Sequence, residues 1–131
     1  MATMSASERR QLAKIEYDAF LSACPSRQVL EILANKWVCL VIYLLRERTL
    51  RYGEIQKGID GISQKMLTQT LRMLERDGLV RRTVTAQVPV RVDYELTPLG
   101  HDFAPVMAGV KAWAQGHIAE IQAARAAYDA G

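Results

Sequence analysis

The chain has 131 residues, is 50% hydrophobic and 24% charged, and carries a net charge of +3, which suits one globular domain with a core and room for an extra arm. Two cysteines are too few for a disulfide scaffold, and the absence of a secretory-type leader points to a reducing cytoplasm. The most apolar run, 37–45, falls far short of the roughly 20 residues of a membrane span and is bracketed by Lys36 and Arg46, so no membrane partner is expected.

In chain order, residues 1–7 are small and polar and are expected to fray. A helix is predicted over 7–20, with Leu12, Ile15, Ala19 and Phe20 on one face. Such an arm either covers its own core or docks on a second subunit. Cys24-Pro25 breaks the chain, and Val29, Leu30, Ile32 and Leu33 mark a short helix ending near Asn35. Trp37, Leu40, Val41, Leu44 and Leu45 form the stripe of the next helix, taken as a buried core element, with Cys39 inside it as a small core residue. A brief strand at 49–51 leads into a second short helix over 52–59, with Ile55 and Ile59 inward.

Gly58, Asp60 and Gly61 then supply a tight turn into a longer helix over 62–78. Ser63 is its N-cap, Ile62 and Leu67 fall at staple positions, and Asp77-Gly78 ends it. At about 100° per residue, Met66, Leu67, Thr70, Leu71, Met73 and Leu74 fill one arc. The other arc holds Gln64, Lys65, Thr68, Gln69, Arg72, Glu75 and Arg76. A solvated helix face usually mixes acids and bases, but here no acid appears before Glu75. Gln, Lys, Thr and Arg are the side chains that donate to phosphates and base edges. Short helix, glycine turn and longer polar-faced helix follow the order of a helix-turn-helix.

After Gly78 the period changes from 3.6 to 2. Val80, Arg82, Val84 and Ala86 alternate with Arg81, Thr83, Thr85 and Gln87, and Val92, Tyr94 and Leu96 alternate with Arg91, Asp93 and Glu95. With Val88-Pro89-Val90 as the loop, this reads as a β-hairpin, a wing behind the helix-turn-helix. Charge follows the same segment. Residues 46–91 hold ten basic and five acidic side chains, an excess of +5, while the remainder holds seven against nine, as an electrostatic footprint for nucleic acid would.

Thr97-Pro98 caps a further helix, with a break or kink expected near Pro105. From Val106 onward, Val110, Trp113, Ala114, His117, Ile118, Ile121 and Ala124 form a stripe that a small winged domain has little room to bury. A homodimer built from the first and last helices would cover it. The expected class is therefore mainly α with a small β-hairpin (α+β). It divides into a helical arm at 1–23, a winged helix-turn-helix at 24–97 and dimerisation helices at 98–131.

Several motifs fall in one order: Cys24-Pro25, Asn35-Lys36-Trp37, Arg51-Tyr52-Gly53-Glu54-Ile55, Gly61-Ile62-Ser63-Gln64-Lys65-Met66-Leu67-Thr68-Gln69, Leu74-Glu75, Asp77-Gly78-Leu79-Val80 and Val92-Asp93-Tyr94-Glu95-Leu96-Thr97. In these the chain resembles the HxlR-type bacterial transcription regulators, winged-helix proteins related to the MarR group, over about residues 24–113. The resemblance implies a dimeric regulator of double-stranded DNA, a repressor by the family's commoner mode, with 63–77 as recognition helix and 86–91 as wing tip. It assigns major-groove contact to Gln64, Lys65, Thr68, Gln69 and Arg72. It assigns phosphate contact to Arg51, Tyr52 and Arg76, and minor-groove or backbone contact to Arg91. In some members a cysteine at the position of Cys24 senses oxidants or electrophiles.

Other functions find less support. No phosphate-cradling glycine loop, His-Glu-x-x-His or partnered nucleophile marks an enzyme. Cys24, Cys39, His101 and His117 match no standard metal spacing, and no cofactor is expected. Two alternatives stay open: a winged helix that binds protein instead of DNA, and a repressor gated by a small-molecule effector, with Trp37, Tyr43, Trp113 and Tyr128 as pocket-lining aromatics or as plain core.

Overall fold

Capping decides where the first helix begins. In the computed structural model, which describes residues 3–131, the Glu8 amide donates to Ser5 Oγ at 3.1 Å and the Ser5 amide donates to Glu8 Oε2 at 2.8 Å. This reciprocal box fixes α1 at Ala6–Ala23. The fraying expected for 1–7 thus gives way to order from Ser5, while residues 1 and 2 lie outside the described residues. Pro25 at the first helical position opens α2, Pro25–Ala34. Leu12, Ile15 and Phe20 on α1, and Val29 and Leu30 on α2, are exposed. These two helices belong to one compact unit, residues 1–36, and the rest of the chain, 37–131, forms a second.

The second unit holds the core. Helix α3 (Val38–Leu45) buries Val38, Val41, Ile42 and Leu45. The expected stripe was phased differently: Leu40 is exposed, and Trp37 and Leu44 are half-buried. Every residue of α3 is apolar or cysteine, so its periodicity carries no phase, and only packing selects the inward face. Strand β1 (Leu50–Arg51) leads into α4 (Tyr52–Gly58), which buries Ile55. Then follow α5 (Gln64–Arg76), β2 (Val80–Thr85), β3 (Arg91–Leu96) and α6 (Pro98–Ala130).

The three strands form one antiparallel sheet in the order β1-β3-β2. Leu50 stands opposite Tyr94, and Val80 opposite Leu96; all four side chains are buried against the helices. Only the base of the hairpin reaches the core. Beyond Val80 every residue of β2 is exposed, so the strands project outward and the Val88–Pro89 peptide, which is cis, sits in the loop at their end.

Residues 78–100 lock three elements together. Gly78, with φ +77°, ends α5 in the left-handed region. The Thr97 hydroxyl donates to the Gly78 carbonyl at 2.6 Å and accepts from the Gly100 amide at 3.1 Å, capping α6. A Cβ on Gly100 would collide with the Leu79 carbonyl oxygen, so only glycine lets α6 start so close to the backbone just ahead of β2. Of the break or kink expected near Pro105, the break does not occur: α6 runs as one helix of 33 residues with Pro105 inside it. Proline removes one amide donor, and the alanine-rich sequence that follows sustains the helix past that loss. Beyond buried Met107, α6 leaves Val110, Trp113, Ile118 and Tyr128 exposed. Among the described residues, no single helix is long and apolar enough to cross a membrane.

Candidate nucleic-acid interface

The turn between α4 and α5 sets the geometry of the exposed face. Ile59 and Ile62 are both buried, and Gly61 between them takes φ +80°, a conformation that costs a side-chain-bearing residue about 1–2 kcal/mol. Ser63 follows as N-cap, its Oγ accepting from the Met66 amide at 3.1 Å. Helix α5 then buries Leu67, Thr70, Leu71 and Leu74, and Met66 and Met73 at the flanks of this stripe are half-buried. Thr70 fits the apolar arc because its hydroxyl donates to the Met66 carbonyl at 2.8 Å.

With that face inward, Gln64, Lys65, Gln69 and Arg72 are exposed and Thr68 is half-buried. Together with Tyr52 these five residues line a shallow concavity of about 450 Å³. The Tyr52 hydroxyl donates to the Gln64 carbonyl at 2.8 Å and lies 3.0 Å from Thr68 Oγ1. With the phenolic proton committed to the carbonyl, the Thr68 hydroxyl is left as donor in the second bond. Both side chains assigned to DNA from the sequence thus also brace α4 against the first turn of α5.

The remaining sequence-assigned residues lie elsewhere. Arg51 is exposed at the N-cap of α4, where its amide donates to Glu54 Oε1 at 3.0 Å. Arg76 pairs with its neighbour Asp77 at 3.5 Å. Arg91 donates through Nε to both Asp93 oxygens, at 3.0 and 3.2 Å, so its charge is held at the strand by a carboxylate.

One basic residue escaped the sequence assignment. Arg82 on β2 pairs in register with Tyr94 and lines a hollow of about 260 Å³ with Tyr52, Thr68, Leu71, Arg72, Glu75 and Tyr94. The signal was there: Arg82 belongs to the same alternation set as Val80 and Val84, one step beyond the end of the core. Among the described residues, no ion pair engages Lys65, Arg72 or Arg82.

Cys24 is half-buried at the N-cap of α2, with a free thiol. The Arg27 and Ser26 amides, helped by the Ser26 hydroxyl, hold that thiol below its ordinary value, against an opposing push from burial. Cys39 is also a free thiol, half-buried on α3. No cluster of His, Cys, Asp and Glu among the described residues could hold a metal ion.

Comparison with known proteins converges on one family. The model of the HxlR-like helix-turn-helix matches residues 32–122. The Escherichia coli K12 HTH-type transcriptional regulator YtfH is 38% identical over 110 residues, covering 84% of this chain and 87% of that protein. Among solved structures, the redox regulator HypR in its reduced form is 32% identical with a TM-score of 0.71, over 76% of this chain and 99% of its own. The reduced form of the transcriptional regulator YodB from B. subtilis is 37% identical with a TM-score of 0.62, over 70% and 90%. A winged helix-turn-helix with these relatives is a DNA-binding regulator of transcription, and the chain belongs to the HxlR-like helix-turn-helix family.

Proposed function

We propose that the protein is a homodimeric repressor that binds a pseudo-palindromic operator, with α5 in the major groove and the β2–β3 hairpin as a wing. The observation that carries this reading is the exposed face of α5. Gln64, Lys65, Gln69 and Arg72 stand together on it with no acid among them. Gln addresses adenine bidentately, and Lys or Arg addresses guanine. Arg72 and Arg82 frame the hollow between helix and wing, where a phosphate crossing from groove to wing would meet two cations. Arg51 and Arg76 are exposed and supply further backbone contacts. Thr68 and Tyr52 act as the brace, which takes up both hydroxyl protons, so their contact with DNA is by packing, the Thr68 methyl against a base edge.

Dimerisation draws support from the apolar side chains that α1 and α6 leave exposed, including Ile15, Phe20, Val110 and Trp113. Pairing of these helices between subunits buries them and sets the distance between the two α5 helices. Control falls to Cys24. A thiol held low by helix-end amides is more thiolate at neutral pH and reacts faster with oxidants and electrophiles. HypR and YodB have each been solved in reduced form and in oxidised or diamide-treated form, which supports a redox input here.

A footprint on the DNA upstream of its own gene, with and without diamide, tests the reading. The expected result is a protected pseudo-palindrome with half-sites one helical turn, or a multiple, apart, released by oxidant in the native protein and retained in Cys24→Ser. Equal affinity for all duplexes at every salt concentration would remove the DNA-reading role, because counterion release demands a steep salt dependence.

A further inference from the structure

The outer part of the β2–β3 hairpin carries no charge. Residues 83–90, Thr-Val-Thr-Ala-Gln-Val-Pro-Val, hold neither acid nor base, and all eight are exposed. Val84 and Val90 are more than half exposed, and Val88 at the tip is fully so. Three valines left in water forgo the stabilisation that burial of their apolar area supplies, so this tip gains most from a surface that covers it.

What covers it follows from continuity with the DNA-facing surface. Val84 follows Arg82 on one face of β2 by strand alternation and stands opposite Val92. Arg82 on that face lines the hollow shared with Arg72 of α5. Outward from α5, the surface therefore changes from two cations to valines. The next cation along the hairpin is Arg91, and Asp93 holds it. From Val80 to Thr85 the strand spans about 17 Å at ~3.4 Å per residue, half of the ~34 Å helical repeat that separates successive major grooves. With α5 in a major groove and Arg82 at the phosphates, the tip reaches the adjoining minor groove.

We propose that the tip is an uncharged minor-groove probe, in which Val88 and Val90 pack into the groove and select A·T over G·C pairs beside each half-site. This inference rests on the DNA-reading role proposed above. The minor-groove edge of a G·C pair carries the guanine 2-amino group, a donor that A·T pairs lack. Apolar side chains offer that donor no acceptor and exclude the water that would satisfy it, so a G·C pair under the tip is penalised. An arginine at the tip would be drawn to A·T tracts by charge. Valines reach the same preference by desolvation, without neutralising a phosphate, so selectivity of this kind leaves the salt dependence of binding unchanged.

The test is fluorescence-anisotropy titration of the full chain on duplexes of the segment protected upstream of its own gene. Base pairs about five positions from each half-site centre, half a helical turn away, are set to A·T, G·C or inosine·C. Inosine presents the major-groove edge of guanine without the 2-amino group, so α5 meets the same surface in the last two. Native protein should bind the A·T and inosine·C duplexes alike and the G·C duplex at least about tenfold more weakly, the cost of one unsatisfied donor. The double variant Val88→Ser with Val90→Ser, at exposed positions where Tm is retained, should lose that discrimination with its salt slope unchanged. Equal native affinity for the inosine·C and G·C duplexes would overturn the minor-groove assignment. Discrimination kept in the double variant would overturn the role of the two valines and leave the tip to a protein contact. A salt slope lowered by about 1 in the double variant would replace packing with a phosphate contact. Binding to no duplex would overturn the DNA-reading role itself, whereas binding without discrimination overturns this inference alone.

Discussion

Tyr52 and Thr68 face each other across the helix-turn-helix turn with their oxygens 3.0 Å apart, and the same phenol holds the Gln64 carbonyl at 2.8 Å. The pair fixes the first turn of α5 against α4, so the exposed α5 residues proposed to read bases are positioned by a residue one helix earlier. Tyr52→Phe should destabilise the fold by about 1–2 kcal/mol, the net worth of two hydrogen bonds. A cycle with Thr68→Val should show coupling of at least ~0.5 kcal/mol in chemical denaturation. Full additivity would mean that the two hydroxyls act independently.

Arg72 and Arg82 line the same hollow but should behave differently on DNA. Arg72→Ala is expected to cost about 1–3 kcal/mol on the operator and to relax discrimination at one base pair. Arg82→Ala should weaken operator and random duplex alike and reduce the salt slope by about 1, as loss of one phosphate contact does. Titrations by fluorescence anisotropy at several salt concentrations separate the two.

Arg91 is tied by two hydrogen bonds to Asp93, a carboxylate that competes with any phosphate. Arg91→Ala should therefore change DNA affinity less than Arg82→Ala. Asp93→Asn should do the opposite of a usual surface change and tighten non-specific binding, with the salt slope steeper by about 1. Unchanged affinity in Asp93→Asn would place Arg91 outside the interface.

Gly100 and Gly109 both lie in α6, yet their substitutions should have opposite signs. A methyl at 100 meets the Leu79 carbonyl, whereas one at 109 meets nothing within 4 Å. Gly100→Ala should cost about 1–3 kcal/mol through overpacking, and Gly109→Ala should stabilise by about 0.5–1 kcal/mol through helix propensity. Thermal unfolding reads both.

Because helix-end amides lower the Cys24 thiol, its alkylation by bromobimane should reach half-maximal rate at a lower pH than free cysteine. The folded state binds the thiolate form preferentially. The resulting stabilisation is complete above the ordinary thiol pKa and is lost as pH falls through the lowered one. Denaturation midpoints of native protein and Cys24→Ser should therefore diverge as pH rises towards the ordinary thiol pKa.

Helix α5 was legible in the sequence because its 13 residues separate polar from apolar over more than three turns, with a serine before them and a glycine after. The hairpin was legible for a similar reason, a change of period bounded by a proline loop. Helix α3 was not, since eight consecutive apolar or cysteine residues have no polar face to orient them. For Arg82 the alternation was legible, but its place beside Arg72 was not, for another reason. That placement depends on which side chains from distant segments meet, and strand spacing or helical spacing alone does not bring Arg82 of the hairpin to Arg72 of α5. The double role of Tyr52 and Thr68 belongs to the same class, as does the continuity of α6 past Pro105, where neighbouring residues outweigh a single local signal.

The hydroxyl of Thr97 joins the end of α5, the end of the wing and the first turn of α6 at one point. From that point α6 extends 33 residues, about 50 Å at 1.5 Å per residue. Such a helix can act as a lever with its fulcrum beside the end of α5. A tilt of about 5° at the fulcrum moves its far tip by roughly 4 Å over that length. Conversely, in the dimer proposed above, a few ångströms of sliding between two paired α6 helices would turn each α5 through several degrees. If the chain acts as the repressor proposed above, release of DNA would need only small rotations of rigid parts, with neither α5 nor the β2–β3 hairpin having to unfold.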